Sequence, residues 1–93
     1  MISQETIQII QQILAPFEPK RIGIFGSVVR GEATSESDLD ILVEFKKKYS
    51  LFDLVDLEDK LAEALHYKID LITERSLHPR LKQYIDKEVI FLE

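Results

Sequence analysis

Apolar residues recur along this chain with two different periods. Between residues 3 and 14 they fall at Ile7, Ile10 and Leu14, with Ile9 and Ile13 widening the stripe. That spacing predicts an amphipathic helix with one buried face. Ser3 suits its N-cap, and Pro16 and Pro19 stop it. Residues 20–25 form a short apolar run ended by Gly26, the pattern of a buried strand. Ser27 to Arg30 predicts one helical turn ended by Gly31. Residues 32–37 are polar and aperiodic, hence a loop. Residues 38–45 predict a second strand, and the lysines at 46–48 a solvated turn rather than a binding patch.

The clearest helix covers residues 50–65. Ser50 can cap it, with Asp53 three residues on to complete a capping box. Leu51, Leu54, Val55, Leu61 and Leu65 form its stripe, and Asp56, Asp59, Lys60 and Glu63 lie on the solvated side. Residues 67–73 predict a third strand, and residues 76–85 a weaker helix in which Pro79 fits only the first turn. Residues 88–92 predict a last short strand. His66 reads as a C-terminal cap and His78 as a helix-start residue; Phe17, Phe45, Phe52 and Phe91 read as core or interface. The order is α-β-(short α)-β-α-β-α-β, an α/β (α+β) chain with a mixed sheet of three or four strands and flanking helices.

Length and charge narrow the function. The chain has 93 residues, which predicts a single domain over residues 1–93. No apolar run approaches the roughly 18 residues of a membrane span, and residues 1–8 lack the pattern of a signal peptide. With no Cys, disulfides and thiolate metal sites are excluded, and a cytoplasmic location is expected. The net charge of −5 argues against non-specific nucleic-acid binding. A local nucleotide site remains compatible with it, because a metal and a few donors outweigh the global field.

The chemistry concentrates around residues 22–44. Asp38 and Asp40 head an otherwise apolar strand, and side chains two apart on a strand share a face, about 6.5 Å apart along the chain. Unpaired, two such acids raise each other's pKa; a hard divalent cation, Mg²⁺ or Mn²⁺, removes that cost. Asp70 lies inside the third predicted strand, where an acid is disfavoured. If that strand pairs with the second, three carboxylates make a two-metal clamp for displacement at phosphorus. Gly26 allows a phosphate close to the backbone, Ser27 adds a hydroxyl, and Arg30 one turn later offers a bidentate partner.

Gly26-Ser27, ten residues, then Asp38-Leu39-Asp40 resembles the G-S-x10-D-x-D signature of the DNA polymerase β-like nucleotidyltransferases. The string GSVVRGEATSESDLDILVEF looks like that of the small stand-alone members, the minimal nucleotidyltransferases. The resemblance extends to KIDLIT, the position of the third acid. It implies a polymerase β-type palm and transfer of a nucleoside monophosphate, AMP from ATP, with release of pyrophosphate. Carried over by position, Asp38 and Asp40 would bind two Mg²⁺ ions, and Asp70 would complete one site and help deprotonate the acceptor. Gly26 and Ser27 would hold the triphosphate, with Arg30 and Ser37 as further nucleotide contacts. Small members pair with an all-helical HEPN-family ribonuclease toxin as its antitoxin, some by transferring AMP to a toxin tyrosine. The shortness of the chain agrees with an acceptor supplied by such a partner. Two alternatives stand beside this expectation. One is an antitoxin that neutralises by binding alone. The other is transfer to a small molecule of the antibiotic type, for which no second domain is evident.

Overall fold

The computed structural model describes residues 2–34 and 36–92. Helix α1 covers Gln4–Leu14 and is capped by the Ser3 hydroxyl, which accepts from the Thr6 amide. A 3-10 turn, Ala15–Phe17, leads into strand β1, Pro19–Phe25. Then follow the single-turn helix α2, Ser27–Arg30, strand β2, Leu39–Phe45, and helix α3, Leu51–Leu65. Strand β3, Ile69–Thr73, a 3-10 turn, Glu74–Ser76, helix α4, Pro79–Glu88, and strand β4, Ile90–Leu92, complete the order.

The strands form one mixed sheet ordered β3-β2-β1-β4. β1 runs antiparallel to both β2 and β4, whereas β2 and β3 are parallel, joined through α3. Alternation along β2 decides what each face buries. Leu39, Ile41, Val43 and Phe45 join Ile22 and Ile24 of β1 in the larger core, closed by Ile10 and Leu14 of α1 and Leu57 and Leu61 of α3. Leu42 of β2 and Phe25 of β1 point the other way and pack on Ile85 of α4. Gly23 lies where Val89 and Phe91 cross β1, and a Cβ there would collide with Val89.

The sequence places α3 correctly, including its capping box: Ser50 accepts from the Asp53 amide, and Asp53 accepts from the Ser50 amide. Its inner face differs. Leu57 and Leu61 are fully buried, while Leu51 is 74% and Val55 44% exposed. Phe52, expected as core or interface, is 83% exposed. These residues lie in the first turns of α3, where Leu54 packs partly against the core and the side chains at 51, 52 and 55 face away from it. Phe17 and Phe45 do meet the interior, both edge-on to Tyr49.

Several boundaries shift for local reasons. β3 starts at Ile69 rather than residue 67, because His66 in a left-handed C-cap and the bend at Tyr67 turn the chain out of α3. α4 starts at Pro79 because His78 caps it, Nδ1 accepting from the Arg80 amide. It runs on to Glu88, so Glu88 ends a helix and does not begin the last strand. Among the described residues no helix is long and apolar enough to cross a membrane.

This packing predicts unequal costs along one helix. Leu57→Ala should remove about 2–5 kcal/mol of stability, because it leaves a cavity at a fully buried site. Leu51→Ala should change it by less than about 0.5 kcal/mol. Urea unfolding, read at the transition midpoint, checks both.

Candidate active site

Three chain segments reach the same end of the sheet: the close of β1, the start of β2 and the start of β3. Their meeting follows from strand direction, since β1 runs against β2 and β3 runs with it. Asp40 pairs with Asp70 in the parallel ladder and with Phe25 in the antiparallel one. Neighbouring strands lie about 4.8 Å apart, so in-register Asp40 and Asp70 carry their carboxylates side by side. Both lie on the α4 face, in alternation with Leu39, Ile41 and Leu71, which point into the core. Asp38 stands just before β2 and is exposed, as is Asp70; Asp40 is half-buried.

Charge and burial act together on Asp40. Its carboxyl is pushed up from 3.8 to about 6, first by burial and then by the negative charge of Asp70 and Asp38. Arg30 pulls the other way, and Glu88 adds to the rise.

Gly26 closes β1 beside these acids. Its φ of 83° lies in the region that favours glycine, and a Cβ at this position would run into the Asp40 carboxylate. The backbone then turns once: the Val29 and Arg30 amides both donate to the Gly26 carbonyl at 3.1 Å, and Gly31 ends the turn at φ 75°. Arg30 donates through Nε to Glu32 at 2.7 Å and through Nη1 to both oxygens of Glu88, at 3.1 and 3.0 Å. These hydrogen bonds, that to Glu32 foremost, hold its guanidinium above the ordinary value.

The fold therefore gathers Asp38, Asp40, Asp70, Gly26, Ser27 and Arg30 at one sheet end. Ser37 lies in the loop before β2, where its hydroxyl accepts from the Thr34 amide at 2.8 Å and closes a turn. Glu88 is the residue that the sequence pattern misses. Its carboxylate accepts from the Gly26 amide at 2.9 Å, across 62 residues of chain. An acid at the junction of a helix and a strand reads as surface in sequence, and only its spatial neighbours reveal it.

The acids are all-oxygen donors crowded at one end of the sheet, which suits Mg²⁺. No three His, Asp or Glu side chains among the described residues form a preformed coordination cluster. The two observations agree, because Mg²⁺ keeps waters and substrate phosphates in its shell and does not require an all-protein cage.

Residues 4–92 match the Nucleotidyltransferase domain family. The chain belongs to that family. Among the similar proteins is the protein adenylyltransferase MntA of Thermococcus cleftensis, 40% identical over 76 residues, 82% of this chain and 77% of that protein. A Methanocaldococcus jannaschii protein provisionally named for the same activity, MJ0435, is 46% identical over 78 residues, 84% of each chain. The fold likewise matches a chain in a toxin-antitoxin crystal structure with AMP-PNP, with TM-score 0.84 and 28% identity, over 98% of this chain and 73% of that one. It also matches a chain in the complex of tri-AMPylated Shewanella oneidensis HEPN toxin with MNT antitoxin, with TM-score 0.81 and 26% identity, over 99% and 72%. This nucleotidyltransferase thus has the expected polymerase β-like mixed sheet with flanking helices.

The crowding of its acids has a pH signature. Asp40 holds its proton to about pH 6 when folded but only to about 3.8 when unfolded. The folded state binds more protons in that window, so this group lowers stability as pH rises through it. In metal-free buffer the melting temperature of Asp40→Asn should exceed that of the unsubstituted protein at pH 8. The gap should close toward pH 4, as thermal melts across pH will check.

Proposed function

We propose that this nucleotidyltransferase transfers AMP from ATP to a hydroxyl of a partner HEPN toxin, a tyrosine hydroxyl, and so serves as the toxin's antitoxin. The observation that carries the reading is the Asp40–Asp70 register beside the turn at residues 26–30. Support comes from relatives named as protein adenylyltransferases and from the likeness to complexes of AMP-PNP and of an AMPylated toxin.

In this reading Gly26 lets the triphosphate close to the backbone, and Ser27 and Arg30 hold it through the Ser27 amide and hydroxyl and the guanidinium. Asp38 and Asp40 would hold two Mg²⁺ ions, or Mn²⁺, and Asp70 would complete one of the two sites. Such ions, when bound, neutralise charge on the phosphate oxygens and among the carboxylates. The acceptor oxygen forms a bond to the α-phosphorus. The bond from that phosphorus to the α–β bridging oxygen breaks in line, and pyrophosphate leaves with the electron pair. The hydroxyl proton passes to Asp70, which is exposed and lies on the edge strand, open to a protein-borne acceptor. Leu81 and Tyr84 leave apolar surface exposed on α4, the helix on this face, which suits contact with a partner.

ATP labelled at the α-phosphate, Mg²⁺ and the toxin encoded beside this chain provide the test. Label should move to the toxin, and Asp38→Asn with Asp40→Asn should abolish the transfer while the fold persists. No label on the toxin, with its nuclease still active, contradicts the proposal. If the double variant still neutralises the toxin fully, neutralisation is by binding alone.

A further inference from the structure

Glu88 is joined to the active-site turn at both of its ends. β1 pairs with β2 as far as Phe25 and with β4 only as far as Ile24, so the ladder runs out before Gly26. The Gly26 amide needs another acceptor, and Glu88 Oε1 supplies it at 2.9 Å. The same carboxylate accepts from Arg30 Nη1 through both oxygens. With Nε held by Glu32, Nη2 is the guanidinium nitrogen with no partner among the described residues.

Glu88 is itself fixed. It is the last residue of α4, three residues beyond Ile85, which packs between Phe25 and Leu42. At its other end α4 is tied to the sheet, Lys82 pairing with Glu74 and Glu74 with Arg21. The side chain of Glu88 is 26% exposed and that of Arg30 48%, so the carboxylate is the more enclosed partner.

From this geometry we propose that Glu88 is a positioning residue for nucleotide binding. It holds the turn at residues 26–30 and the Arg30 guanidinium in the arrangement that receives the triphosphate. This rests on the reading of that turn as the triphosphate site. Glu88 acts through Gly26 and Arg30, and it has no part in the bond-making step.

Binding of Mg·ATP and of AMP to the whole chain, by calorimetry, tests it. Glu88→Ala should weaken ATP about tenfold and leave AMP within about twofold, because only the longer phosphate chain uses the turn. Glu88→Gln keeps an oxygen acceptor for the Gly26 amide and should recover part of the loss. It also carries the test if the alanine variant does not fold. Arg30→Ala and the Arg30→Ala, Glu88→Ala double variant should then bind ATP nearly alike, the mark of residues acting as a unit. Unchanged ATP affinity in Glu88→Ala, equal losses for ATP and AMP, or additive effects would overturn the proposal. Tighter ATP binding would overturn it too, by making Glu88 a competitor for the amide. Ser27→Ala separates the two readings. If it weakens ATP while Glu88→Ala does not, the turn remains the phosphate site and only the role of Glu88 falls. If neither substitution matters, both readings fall.

Discussion

The site depends on the parallel pairing of β2 and β3. That ladder sets Asp40 beside Asp70, and a slip of one residue would turn either acid into the core. The register is enforced from behind. Leu39, Ile41 and Val43 on β2 and Leu71 on β3 are buried against α1 and α3, so the acids have only the opposite face to occupy. Glu58 of α3 adds a tie, accepting from the Leu71 amide at 2.8 Å on the outer side of the edge strand. A hydrophobic core on one face thus holds two like charges together on the other. Burial first, and then the negative charge of Asp70 and Asp38, raises the pKa of Asp40.

The second dependence is close approach. Gly26 has no side chain where Asp40 needs space, so the turn and the acid pair sit against each other. α4 then closes the arrangement from the far side of the chain, with Ile85 in the small core and Glu88 on the Gly26 amide. Residues from four separate segments meet because β1 finishes at the end of the sheet where β2 and β3 begin.

Much of this was legible in the sequence. The Gly-Ser and Asp-x-Asp elements lie on one local stretch, and their spacing measures a strand end, a turn and a loop. Helical periodicity and the Ser50–Asp53 box located α3, and alternation placed Asp40 on the face opposite Leu39 and Ile41. Boundaries failed where caps decide them: His78 starts α4 late and lets it reach Glu88. The inner face of α3 was misread because Leu51 and Val55 satisfy helical spacing yet lie in first turns that face away from the core. Glu88 was invisible because its meaning comes from contacts 58 and 62 residues away.

The central claim is that the in-register pair does chemistry and does not merely share a strand. The most direct measurement is the rate of pyrophosphate release from ATP by Asp70→Asn with the toxin present, with ATP affinity measured on the same sample. The account predicts ATP affinity within about threefold of the unsubstituted protein and a rate lower by at least about 100-fold, the scale of a lost proton acceptor. An unchanged rate in Asp70→Asn would contradict it.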